Sequence, residues 1–174
     1  MKELFHYDPT TGELIWKPRP RSHFSTEACW KTVNTRQAGR IAGNKPLGRN
    51  GDRTGGTVRV NYKSTLLHRI IWEMHHGAIP DGMVIDHING DPWDNRLDNL
   101  RLATNAENLR NRGKQRNNTS GYKGVSWHKA ASKWGAFIKT NGVRKHLGLF
   151  SDINDAVKAR QAASNQYHKE FSHG

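Results

Sequence analysis

The chain has 174 residues, with 28 Lys and Arg against 15 Asp and Glu for a formal charge of +13, and 34% hydrophobic residues at a mean hydropathy of −0.88. That balance predicts a polyanionic partner and one ordinary domain or two small ones with modest cores. The single cysteine, Cys29, excludes intramolecular disulfides and a cysteine-built zinc ribbon, and no apolar run reaches membrane-span length. The expectation is a soluble protein of the reducing cytoplasm, with no membrane partner. Its charge is uneven: residues 1–109 hold 15 basic and 12 acidic side chains, residues 110–174 hold 13 and 3. The basic residues alternate with strand patterns and aromatics, which argues against a membrane-surface helix.

In chain order, E-L-F-H-Y-D-P-T-T-G-E-L-I-W predicts a hairpin around the turn-forming Asp8 to Gly12. Residues 17–38 show no period and carry Lys17, Arg19, Arg21, Lys31 and Arg36. They are read as a long loop, either DNA-contacting or solvated, with Phe24 and Trp30 packed on the unit formed by residues 61–109. A Gly-rich basic stretch, Asn44 to Gly56, precedes Thr57-Val58-Arg59-Val60, and with Gly39 to Gly43 it suggests a second hairpin. Leu66 to His76 predicts a helix whose Leu67, Ile70, Ile71 and Met74 form one apolar face and which Gly77 ends. His68, His75 and His76 are read as structural or surface residues, and Arg69 as a phosphate contact.

Val84 to Asn108 then reads as a strand ending at Asp86-His87, a polar loop, a second strand Asn99 to Leu102, and a helix opening near Thr104 or Asn105. Asp and Asn strings are common in turns, since these side chains bond their own backbone. Here four elements, D-H, N-G-D, N-L-R and E-N, follow in order. A carboxylate and an amide oxygen are hard donors suited to Mg²⁺, and a histidine beside them can take a proton from water. The segment, with L-L-H-R-I-I-W-E-M-H-H-G-A-I-P-D-G-M-V upstream, resembles the HNH, or ββα-metal, motif of phage homing endonucleases. The resemblance implies that His87 is the general base, that Asp86 and Asn108 hold one Mg²⁺ or Mn²⁺, and that Asn99 bonds backbone to fix the loop carrying His87. Asn108 stands where the motif's name has its last histidine, which favours Mg²⁺ or Mn²⁺ over zinc or nickel.

Residues 110–119 read as a basic linker, with Arg110, Arg112, Lys114 and Arg116 at alternate positions, lying on DNA or merely solvated. From Ser120 the pattern is three strands, Tyr122 to Trp127, Lys133 to Thr140 and Arg144 to Phe150, then a helix from Ile153 to about Phe171 with Ser151 as N-cap. Alternation puts Trp134, Ala136 and Ile138 with Leu147 and Leu149 under the helix and leaves Lys133, Phe137, Lys139, Arg144 and His146 outside. S-G-Y-K-G-V-S-W, K-W-G-A-F-I-K and L-G-L-F-S-D-I-N-D-A resemble the DNA-binding domain of plant ethylene-response (Apetala-type) factors. By matched position Lys123, Ser126, His128, Lys139, Arg144 and His146 would face DNA. That family is richer in Arg on this face, so phosphate positioning is favoured over base discrimination.

The expected fold is α+β: N-terminal β-hairpins over 1–60, an HNH ββα-metal unit over 61–109, a linker over 110–119, and over 120–174 a three-stranded antiparallel sheet packed on one helix. The expected activity is site-directed hydrolysis of double-stranded DNA, with no obligate protein partner, as monomer or dimer. A DNA-binding regulator with a degenerate HNH unit and a nonspecific nuclease are the alternatives.

Overall fold

The computed structural model describes residues 1–43, 56–60, 62–111, 117–140 and 142–168. It is a mixed helix and strand structure of small antiparallel sheets with four α-helices among the described residues, in two compact units, Met1–Leu102 and Ala103–Gly174.

In the first unit, β1 (Phe5–Asp8) pairs antiparallel with β2 (Glu13–Trp16). Phe5, Tyr7, Leu14 and Trp16 turn inward, as strand alternation requires, and Phe5 meets Trp16 at 4.5 Å between rings. The turn between them is bonded by Asp8, whose Oδ1 accepts from Thr10 N (2.8 Å) and Oγ1 (2.6 Å).

Residues 17–38 are not a loop. A short 3₁₀ turn, Arg21–His23, leads into α1 (Glu27–Gln37), which buries no residue. With no apolar stripe, helical periodicity had nothing to register. Its start is set by Thr26, whose side chain accepts from Cys29 N, and by Glu27, which pairs with Lys31 at 2.6 Å. The helix is held through Arg19: Asn34 exchanges two 2.9 Å bonds with its backbone, and the Trp30 indole donates to its carbonyl at 2.8 Å. The Arg19 guanidinium lies over Trp16 and Phe24 at 4.9 and 5.0 Å. Phe24 and Trp30 therefore close on Arg19, within their own segment.

The second hairpin also has a different partner from the one expected. β3 (Thr57–Val60) pairs with β4 (Lys63–Leu66), and residues 39–42 run beside β2, with Trp16 N donating to Arg40 O (2.9 Å) and Ala42 N to Leu14 O (2.6 Å). Residues 44–55 of the Gly-rich stretch lie outside the described residues. α2 (Leu67–His76) follows, with Leu67, Ile70, Ile71 and Met74 buried and Gly77 at its C-terminal end. β5 (Met83–His87) and β6 (Leu100–Thr104) form the next two-stranded sheet. Its Ile85 and Leu100 join the hairpin residues and α2 in one core.

The second unit contains α3 (Asn105–Asn111) and a three-stranded antiparallel sheet of β7 (Val125–His128), β8 (Lys133–Thr140) and β9 (Val143–Phe150). α4 (Ile153–His168) packs on the Trp134 and Ala136 face. Two details depart from expectation. Asp152, one residue after Ser151, takes the N-terminal turn of α4, its Oδ1 accepting from Asn154 N at 2.6 Å. Strand β9 also carries a bulge, since Ala136 pairs with Gly148 but Phe137 with His146, leaving Leu147 as the extra residue. Leu147 and Phe150 consequently join the core, while Leu149 is exposed.

Ile70 is fully buried in α2 between the hairpin and β5. Ile70→Ala is expected to cost about 2–5 kcal/mol in denaturant unfolding.

Candidate active site

Strand β5 delivers Asp86 and His87 as consecutive buried residues at its C-terminal end. The chain then makes a polar loop and a 3₁₀ turn, Leu97–Asn99, before entering β6. The loop's ends are clamped by backbone bonds, Ile88 N to Asn99 O at 2.8 Å and Gly90 N to His87 O at 2.9 Å.

Asn99 ties the loop together. Its buried side-chain Oδ1 accepts from Asn89 N (3.0 Å), and its Nδ2 donates to Asn89 Oδ1 (3.0 Å) and Asp94 O (2.7 Å). Asx bonds continue around the loop, Asp91 N to Asn89 Oδ1 and Trp93 N to Asp91 Oδ1. Asp94 receives the Arg96 guanidinium on both oxygens, each at 2.8 Å, and these bonds hold its carboxyl at about 2.

Two residues that the sequence did not single out complete the surroundings. Asn95 is buried and its Oδ1 lies 2.9 Å from His87 Nε2. An amide oxygen accepts only, so Nε2 carries the proton and Nδ1 is the basic nitrogen of the ring. Arg101, on β6, donates from Nε to Asp86 Oδ2 at 2.9 Å, an ion pair in which both side chains are largely buried. Arg101 left one trace in the sequence, a charged residue between two leucines of a predicted strand. Asn95 left none, being one amide among many in a polar loop.

Against His87 stands His68 of α2, ring to ring at 5.0 Å and perpendicular. Burial, then the nearby charges of His87 and Arg69, lower His68 to about 4, so it is neutral at neutral pH and adds no cation beside His87. His75 donates from Nδ1 to Ile71 O at 2.8 Å, and His76 stacks on Trp72 at 4.3 Å. Arg69 is half-buried on α2.

Asn108 lies on α3, directly after a capping box in which Glu107 Oε2 accepts from Thr104 N (2.8 Å) and Thr104 Oγ1 from Glu107 N (3.3 Å). Asp86 lies on β5 of the first unit and Asn108 on α3 of the second; a carboxylate oxygen and an amide oxygen are each donors that suit a hard divalent cation. Among the described residues, no group of three or more His, Cys, Asp or Glu gathers as a metal cluster.

In the second unit, Ser126, His128, Lys139, Arg144 and His146 are all exposed on the sheet. Register sets His146 opposite Phe137 and Arg144 opposite Lys139, and the Arg144 guanidinium lies 3.7 Å over the Phe137 ring. His128 Nδ1 accepts from Ala131 N at 3.2 Å. Lys123 differs from these: it is half-buried, and its Nζ donates to Arg110 O at 2.6 Å. Arg112, Lys114 and Arg116 lie outside the described residues.

This arrangement of two strands, a clamped loop and a following helix coincides with what known proteins share with the chain. A family model described as HNH endonuclease matches residues 65–110, from β4 to α3, so the chain carries an HNH endonuclease domain. It is also 37% identical over 111 residues to Protein 3.8 of Escherichia phage T7, a match covering 64% of this chain and 91% of that protein, and it belongs to that phage protein's family. A solved structure of the HNH homing endonuclease I-HmuI is similar at 15% identity and a TM-score of 0.37, over 92% of this chain and 82% of that one.

The bonds from Arg96 hold the folded Asp94 carboxyl below the ordinary carboxylate range, so they stabilise the loop above that range and are lost as pH falls towards about 2. Thermal unfolding from pH 5 to pH 2 is expected to show a shallower loss of Tm in Asp94→Asn than in the parent.

Proposed function

We propose that the protein is a site-directed DNA endonuclease of the homing type, hydrolysing phosphodiester bonds with one Mg²⁺ or Mn²⁺ and His87 as general base. The observation that carries this reading is the buried His87, whose Nε2 is fixed by Asn95 Oδ1 at 2.9 Å, directly beside the Asp86 carboxylate within the HNH domain.

His87 takes a proton from the attacking water at Nδ1, since Nε2 is occupied as a donor. Asn99 keeps the loop closed, so the imidazole does not swing away from β5 as it changes charge. Asp86 and Asn108 would hold the cation, and Arg101 keeps the Asp86 carboxylate oriented through its Nε. When bound, a divalent cation neutralises the scissile phosphate and stabilises the departing 3′ oxygen. By resemblance to the HNH family the product carries a 5′ phosphate. One base and one cation make one site per chain, so each chain cuts one strand at a time.

Residues 120–174 are read as an Apetala-type module that positions the chain on double-stranded DNA. Ser126, His128, Lys139, Arg144 and His146 form its groove-facing surface, with Lys123 at one edge. Arg69 and the linker cations Arg110, Arg112, Lys114 and Arg116 supply further phosphate contacts. The concentration of positive charge in this third of the chain supports the assignment.

Supercoiled plasmid and phage genomic DNA incubated with the parent and with His87→Ala, in Mg²⁺ or in EDTA, test the reading. Discrete nicks that need the cation and fall at least about 10³-fold in the variant are expected. A gel shift with no cut by either protein would leave a DNA-binding regulator, and a smear would leave a nonspecific nuclease. For the positioning module, Lys139→Ala with Arg144→Ala is expected to lower the slope of log K against log salt by about 2. An unchanged slope would remove these two residues from the phosphate contacts.

A further inference from the structure

Most of the loop's side-chain bonds come from its own residues, but two come from a single residue 88 and 90 positions away in sequence. Tyr7 of β1 is buried, and its hydroxyl donates to Asn95 O at 3.3 Å while accepting from Leu97 N at 3.0 Å. It therefore spans the peptide segment between Asn95, which holds His87, and the 3₁₀ turn that ends in Asn99. A second contact comes from the same hairpin. A Cβ at Gly12, where φ is +74°, would lie 2.6 Å from Arg96 N and 2.7 Å from Asn95 C. Only glycine permits that approach, because the atoms met are backbone and cannot swing aside. Both ends of the turn of the β1–β2 hairpin thus converge on residues 95–97.

We propose that Tyr7 of the β1–β2 hairpin is a positioning residue that acts through Asn95 on the His87 imidazole. The inference rests on the reading of His87 as general base and adds to it the device that aims the ring. The mechanical chain is short: hairpin to Tyr7 hydroxyl, hydroxyl to the backbone on either side of Arg96, and Asn95 Oδ1 to His87 Nε2. Burial raises the Tyr7 pKa, so the hydroxyl remains a donor across the working range of pH. The edge of the Tyr7 ring also packs against His75 at 4.9 Å, and that contact survives removal of the hydroxyl. Tyr7→Phe is therefore a narrow change. It deletes two hydrogen bonds to the loop and leaves the packing of the core in place.

The test uses the full chain in three forms, the parent, Tyr7→Phe and a packing control, Phe5→Leu, which loosens the Phe5–Trp16 contact without touching the loop. Multiple-turnover nicking gives kcat and KM, thermal unfolding gives Tm, and ¹⁵N shifts of the His87 ring nitrogens report which one carries the proton. Tyr7→Phe is expected to lose about ten-fold in kcat with KM within two-fold of the parent, and to shift the His87 signals towards mixed tautomers. Phe5→Leu is expected to lower Tm and leave kcat and the His87 signals as in the parent. A Tyr7→Phe protein with parental kcat and parental ring shifts overturns the proposal, as does a kcat loss that follows Tm equally in both variants. If the parent cuts no DNA, the nuclease reading fails while the ring shifts still decide whether Tyr7 governs His87.

Discussion

The buried side-chain amide of Asn99 is the interaction on which the rest of the site depends. Three hydrogen bonds from one residue close a loop rich in Asn and Asp that has little apolar surface of its own to bury. Without them the Asn89 N–H and the Asp94 carbonyl would turn to water, and the segment that carries Asn95 would be held by the Tyr7 hydroxyl alone of the long-range side chains. Asn99 stands outside the expected proton transfer. Its contribution is that the chain leaving β5 after Asp86 and His87 is held in one arrangement by side-chain bonds, on strands too short to fix it alone.

The first unit reaches that rigidity with a modest core. The hairpin, α2, β5 and the start of β6 share one set of buried residues, and each element covers a face that the others leave open. The charges near the site are paired close by, Asp86 with Arg101 and Asp94 with Arg96. The second unit has the opposite character. Its sheet presents Lys139, Arg144 and His146 to solvent, and among the described residues its acidic side chains are Asp152 and Asp155, at the start of α4, and Glu107.

The legible parts of the sequence were those set by local pattern. The hairpin followed from alternation around Asp8 to Gly12, α2 from its apolar spacing, and the order of strand, loop, strand and helix from the D-H, N-G-D, N-L-R and E-N strings. What stayed hidden depends on groups meeting across the fold or on single backbone angles. Tyr7 and Asn95 are far apart in sequence, and neither has a signature beyond a tyrosine in a strand and an asparagine in a loop. Helix α1 has no buried face, and only the Thr26-Glu27 start marked it. The bulge at Leu147 needs the left-handed φ of +136° at Gly148, which strand alternation cannot register, so Leu149 was assigned to the wrong face.

Amide hydrogen exchange on the free, full-length protein tests the preorganised loop most directly. The Asn89 N–H, donated to Asn99 Oδ1, and the Ile88 N–H, donated to Asn99 O, are predicted to exchange as slowly as core amides of β5 without DNA or metal. Exchange of both at the rates of an open loop would contradict the account, and would mean that the site forms only when DNA is bound.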